Sequence, residues 1–187
     1  MFSYWLFAIL GFVTRENTPL LFSCQSPTFG YISREIKHAA VTRHPTDAWI
    51  AQQLREATPW VQRPKYLIRD NDKKYGKQFS AVTTSSGIKE IKTPFEAPQA
   101  NAICERFIGS MRRECLNHFF ILQQRQLTRF VRRYVDFYDQ QRPHQGIDQQ
   151  IPVRFGSANP PVSNKAKGRV ISTPVLRGLH HSYAYAH

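Results

Sequence analysis

Two carboxylates in this chain have the setting needed for chemistry on a phosphodiester. Asp70 closes the short apolar run Lys65–Asp70 (KYLIRD), which reads as a buried strand whose C-terminal end reaches a site. Glu105 lies in the stretch Ala100–Leu116, where Ile103, Phe107 and Met111 recur every four residues and predict a helix. Carboxylates brought together from a strand end and a helix suit hard divalent cations. Mg²⁺ prefers oxygen ligands, keeps several waters and is held by one or two carboxylates plus substrate phosphates. Two such cations about 3.5 to 4 Å apart activate the attacking oxygen and stabilise the leaving oxygen of an in-line phosphoryl displacement. Spacing alone is weak support, since any two of the 13 Asp and Glu residues could stand this far apart.

The elements that must position the pair are legible around it. Ile36–Val41 (IKHAAV) reads as a strand. A helix follows, with Pro45 at its start, Thr46 or Asp47 as cap, Trp49, Ile50 and Leu54 on its apolar side and Pro59 as its stop. Gly87–Lys92 (GIKEIK) reads as a further strand, with Ile88, Glu90 and Lys92 on one side and Lys89 and Ile91 on the other. A second long helix is predicted from Gln124 to Gln141, its stripe formed by Leu127, Phe130, Val131, Tyr134 and Tyr138. On the Glu105 helix, Asn101 stands one turn before the carboxylate and Arg112 two turns after it, so both share its face, and Arg106 and Arg113 form an adjacent row. Such a basic margin either positions phosphates beside a metal site or is a solvated helix face.

The charge balance favours a polyanionic partner. Lys and Arg number 26 against 13 Asp and Glu, a net +13 that accumulates toward the C-terminus, and cations that neutralise phosphates release condensed counterions. With 41% hydrophobic and 13% aromatic residues, a chain of 187 residues can bury a core, and its length suits one domain plus a tail. Cys24, Cys104 and Cys115 form no C-x-x-C pair, which argues against a structural zinc site or a disulfide framework and for a reducing, cytoplasmic compartment. The apolar opening Met1–Val13 has no basic leader and is too short to span a bilayer, so it reads as a buried strand and no membrane partner is expected. From Ile151 onward Pro152, Pro160, Pro161 and Pro174 interrupt a stretch with scattered Ser and Gly. This predicts a core over residues 1–155 and a basic, poorly packed, flexible tail over 156–187.

Three ordered segments resemble one family. YLIRDNDKKYG resembles the strand and Asp-Asn motif of retroviral-integrase-like transposases, TPFEAPQANAICERFIGSMRREC resembles their catalytic-Glu helix, and YVDFYDQQRPHQGI resembles the helix and Arg-Pro-His segment of bacterial insertion-sequence transposases. Together they cover roughly residues 36–155. The resemblance implies an α/β, ribonuclease H-like fold with a five-stranded mixed sheet flanked by helices. It also implies Mg²⁺ or Mn²⁺ dependence of the two-metal type, and end cleavage and strand transfer on transposon DNA by a homo-oligomer near the bacterial nucleoid. Carried over by position, Asp70 matches the second catalytic carboxylate and metal ligand, and Glu105 the third. Asn101, Arg106, Arg112, Arg113 and Arg142 are the expected DNA contacts. His144 completes the Arg-Pro-His segment, more as a holder of its loop than as a ligand. Asp72 stands where many relatives have Gly, as a turn residue or an aid to the metal.

The departure from the family is at the beginning. Its members carry the first catalytic Asp on the first strand, and the corresponding region here, around Leu10–Glu16, has no Asp; none occurs before Asp47. Either the N-terminal part, 1–35, has been replaced and the first strand is degenerate, or Glu16 is an imperfect substitute. The usual helix-turn-helix for end recognition is absent as well. Impaired integrase/transposase chemistry and a catalytically inactive nucleic-acid-binding remnant are therefore the two readings.

Overall fold

The computed structural model describes residues 4–10, 20–26, 34–58, 64–69, 71–92, 98–154 and 169–186, with the backbone alone for 4–10, 20–26, 98–104 and 154. Asp70 and Glu16 lie outside the described residues.

A sheet of five strands forms the centre: β1 (Tyr4–Leu10), β2 (Leu20–Ser26), β3 (Ile36–Val41), β4 (Tyr66–Arg69) and β5 (Lys89–Lys92), in the spatial order β3-β2-β1-β4-β5. The first three strands form an antiparallel meander. β4 joins β1 in parallel, Tyr4 opposite Tyr66 and Leu6 opposite Ile68, and β5 joins β4 in parallel. Parallel neighbours need crossovers, and helices α1 (Asp47–Ala57) and α2 (Lys77–Ser85) supply them on either side of β4.

β4 separates two cores. Leu67 is fully buried among Ile50, Ala51 and Leu54 of α1, Phe79 and Val82 of α2, and Ile88. Ile68, its neighbour and therefore on the opposite face of the pleat, packs against the second core. That core is built by α3 (Pro98–Glu114) and α4 (Gln124–Gln140): Phe107, Ile108 and Met111 meet Leu127, Val131, Tyr134 and Tyr138, with Ile36 and Val41 of β3. Each such aliphatic or aromatic side chain contributes roughly 1.5–3 kcal/mol on burial. The result is a sheet between two helical layers, with Phe107 and Met111 of the α3 stripe and the whole α4 stripe facing the core.

The helix starts follow their local chemistry. Thr46 is the cap of α1, its hydroxyl accepting from the Trp49 N–H at 3.2 Å. Asp47, the other candidate, caps a different helix. Its carboxylate accepts from the backbone N–H groups of Gly76 (3.0 Å), Gln78 (2.9 Å) and Phe79 (3.0 Å) at the start of α2. Gly76 has no side chain to perform that task, and a Cβ there would overlap the Asp47 carboxylate.

At the C-terminus the chain departs from the expected flexible tail. β6 (Val170–Val175) and β7 (His180–Tyr185) pair as an antiparallel hairpin, while residues 155–168 lie outside the description. The hairpin is anchored by buried Leu176 and by His180, whose ring stacks on Phe137 at 4.7 Å and whose Nε2 donates to the Glu114 carbonyl. A composition rich in Pro and Lys hid three contacts that suffice to dock two short strands. Among the described residues no helix is long and apolar enough to cross a membrane.

Candidate functional site

β4 ends at Arg69, and its last residue is held firmly. The Arg69 guanidinium is buried, donates to Glu90 Oε2 of β5 at 2.9 Å and lies 4.7 Å from the Tyr75 ring. Burial pushes the Glu90 carboxyl up, but hydrogen bonds from Thr83 and Arg69 outweigh it and keep it below the ordinary range. Residue 69 is thus clamped to β5 and α2. Asp72 forms the turn that follows: its Oδ1 accepts from the Lys74 N–H at 3.0 Å and its Oδ2 pairs with the Lys74 ammonium at 2.9 Å. That is the turn role the sequence offered for it.

The face-to-face placement of Asp70 and Glu105 falls on Asp70, outside the described residues. Glu105 stands exposed on α3, two residues before the apolar row Phe107, Ile108 and Met111 turns inward. The backbone of Asn101 is helical one turn earlier. Arg106 is exposed and lines a cleft of about 550 Å³ with Arg34, Ser110, His144 and Gln149. Gly146 lets the Arg34 guanidinium lie against its backbone, where any Cβ would collide with it. Arg112 is half-buried, its Nε enclosed with no hydrogen-bond partner among the described residues, and Arg113 is exposed.

Arg142, expected to contact DNA, lines the same cleft as Arg106 and is engaged by Glu114. Its Nη2 and Nε donate to Glu114 Oε1 and Oε2 at 2.7 and 2.9 Å, a bidentate pair in which both side chains are about three-quarters covered. Tyr134 Oη donates to the same carboxylate at 2.8 Å. Burial alone would raise the Glu114 pKa, but Arg142 and Tyr134 outweigh it and hold the carboxyl below its ordinary range. Arg142 Nη1 lies 3.3 Å from His144 Nδ1, and His144 Nε2 lies 3.1 Å from the Tyr138 carbonyl. An arginine can only donate, so Nδ1 accepts and the proton sits on Nε2. Burial pushes this imidazole down to about 4, which keeps it neutral. The Arg-Pro-His segment therefore ties the end of α4 to the end of α3.

The sequence offered no signal for one further buried group. Asp139, on the inward face of α4, accepts from the Ile36 N–H with both oxygens, at 3.1 and 3.2 Å. Burial pushes its carboxyl up to about 8. It joins α4 to the start of β3.

The opening apolar stretch, read as a buried strand over Met1–Val13, forms the strand beside β4. The strand beside β4 is Tyr4–Leu10, earlier than Leu10–Glu16, and it is fully formed; what it lacks is any Asp or Glu. The pairing register with β4 places it, which no sequence periodicity could do. Among the described residues no group of three or more His, Cys, Asp or Glu could hold a metal ion. β1 carries no Asp or Glu, so this strand offers no carboxylate beside β4.

A mixed sheet between helical layers, with the Glu105 helix packed against β1 and β2, is the architecture of a ribonuclease H-like fold. Residues 86–152 match the family model described as the integrase core domain. Among characterised sequences it is similar to an uncharacterized 39.2 kDa protein of insertion element IS476 from Xanthomonas euvesicatoria, 29% identical over 126 residues. That similarity takes in 67% of this chain and 36% of the relative, so the chain spans about a third of the relative's length. The catalytic core domain of BIV integrase superposes with a TM-score of 0.59 at 14% identity, covering 81% of this chain and 91% of that one. The HTLV-2 integrase catalytic core, solved with magnesium, gives 0.63 at 13% identity over 81% and 94% of the two chains. A chain of the simian T-cell lymphotropic virus intasome structure gives 0.64 at 16% identity, covering 96% of this chain and 65% of that one. At these identities the structures establish the fold.

Proposed function

We propose that this chain is a transposase-type integrase core that binds DNA but whose end-cleavage and strand-transfer chemistry is disabled. One observation carries the reading: β1, the parallel neighbour of β4, is present and holds no carboxylate. Asp70 and Glu105 are then the two carboxylates left to hold Mg²⁺ or Mn²⁺ in this reading. A two-metal displacement needs a group that bridges both cations, and without it attack and departure of the phosphodiester oxygens both lose their stabilisation. The loss in rate is several orders of magnitude. Binding does not depend on that cluster. The exposed Arg106 and Arg113 and the half-buried Arg112 line the Glu105 helix, with Asn101 on the same element, and supply positive charge for phosphates. The HTLV-2 cores are described in trimeric and dimeric forms, which supports a homo-oligomer on paired DNA ends here.

The test is nicking and 3′-end processing of labelled duplex with Mg²⁺ or Mn²⁺, beside the double variant Asp70→Ala, Glu105→Ala. No cleavage above that control is expected. Cleavage by the chain that the double variant abolishes would overturn the proposal and point to Glu16 or another ligand completing the site. A variant carrying Ala8→Asp, two residues past Leu6, the last β1 residue paired with β4, is the first candidate for restoring activity.

A further inference from the structure

A strongly basic surface lies on α4. A groove of about 760 Å³ runs along it, and Arg125, Arg129, Arg132 and Arg133 of α4 line it together with Arg177 from the C-terminal hairpin. All five are exposed, and no acidic residue lines the groove among the described residues. Arg125, Arg129 and Arg133 succeed one another at intervals of four, so they share one helix face and span about 12 Å. Like charges at this spacing destabilise a helix, and folding therefore does not account for the row.

The floor of the groove is aromatic. Phe119 and Phe130 stack at 4.2 Å with an angle of 22° between their planes, both packed on the α3–α4 core. Phe120 beside them is 97% exposed, and Leu122 73%. A large apolar ring held in water next to a row of guanidinium groups is a combination that neither core packing nor solubility explains. A second copy of the chain is a poor occupant, because a two-fold contact through this face would set five arginines against five.

We propose that the α4 groove holds an unpaired strand of DNA, its phosphates on the arginines and a base stacked on Phe120. Arginines along a backbone path with aromatic faces for successive bases are the means by which proteins hold single strands without reading sequence. This rests on the DNA-binding reading above and adds to it a second surface, on a different helix, with a preference for unpaired nucleotides.

The test is fluorescence anisotropy of the full chain with a labelled oligothymidylate and with a duplex of the same length, at several salt concentrations. Phe120→Ala is expected to weaken the single strand about tenfold while leaving the duplex nearly unchanged, and Phe120→Tyr to restore it. Replacing Arg129 and Arg133 together by Gln should lower single-strand affinity at least tenfold and flatten its log–log salt slope by about 1.4, roughly 0.7 for each phosphate no longer neutralised. All these side chains are exposed, so thermal unfolding should be unaltered. If the chain binds duplex and these variants bind the oligothymidylate as the parent does, the groove proposal is wrong and the DNA-binding reading stands. If the parent binds neither nucleic acid, both fall. Competition by polyglutamate of matched charge as effective as by oligothymidylate overturns the nucleic-acid assignment in favour of an acidic protein.

Discussion

Arg142 shows how a residue type can be legible in the sequence while its partner is not. An arginine in a basic segment invites a phosphate, but this one is matched by Glu114, a residue 28 positions earlier, with Tyr134 and His144 completing the network. Breaking a partly covered, bidentate pair leaves a half-buried carboxylate without its cation. We expect Arg142→Gln to lower stability by about 2 kcal/mol, read from urea unfolding, and to leave the salt slope of DNA binding unchanged. A stable variant with a slope reduced by one phosphate would return Arg142 to the DNA surface. His144 is governed by the same network. Its spacing after Arg142 was visible in the sequence, whereas its neutrality and its Nε2 proton follow from burial and from facing an obligate donor.

Among the elements, α2 depends on a residue outside itself. Its own N-cap is Gly76, and Asp47 of α1 reaches across to take three of its first N–H groups. Burial raises the Asp47 pKa, but the hydrogen bonds from Gln78, Phe79 and Gly76 outweigh it, so the folded-state pKa lies below the ordinary 3.8. The folded state thus prefers the ionised form. Its contribution is complete above pH 4 or so and is lost as pH falls through the lowered folded value. Asp47→Ala is expected to cost about 1 kcal/mol at neutral pH, with the difference from the parent shrinking in acid; thermal unfolding at a series of pH values measures both. A constant difference down to the lowest pH would show that the carboxylate charge plays no part. The sequence marked Asp47 as a cap and erred only in the helix. A capping carboxylate is recognised by its neighbours in sequence, and here the N–H groups it serves are some thirty residues away.

For the whole molecule, the net charge of +13 and the two basic surfaces on α3 and α4 predict DNA binding that is electrostatic and weakly selective. Titrating duplex with rising salt should give a linear log–log decline with a slope of magnitude about 0.9 for each phosphate neutralised. Unrelated duplexes should bind within a few-fold of one another. Affinity indifferent to salt, or strong preference for one sequence, would contradict this. The charge is borne by a two-core scaffold in which β4 serves both cores through adjacent residues, Leu67 and Ile68. Moving β4 by one residue would exchange those faces, so the strand that ends at residue 69 is fixed in register by packing on both sides.

Local patterning by itself determined where α1, α3, α4, β3, β4 and β5 fall, to within a few residues at their ends, and the excess of positive charge. Each of these depends on residues a few positions apart, through the 3.6-residue and two-residue periods or through summed charge. Tertiary structure decided the rest. It set β1 at Tyr4–Leu10 beside β4 and so exposed the absence of a carboxylate there. It docked the Pro-interrupted C-terminal segment as a hairpin through Leu176 and His180, consumed Arg142 in a pair with Glu114, and gathered arginines from α4 and the hairpin into one groove with Phe119, Phe120 and Phe130. In every such case the partners are far apart along the chain, and only the closing of the fold gives the contact an energy.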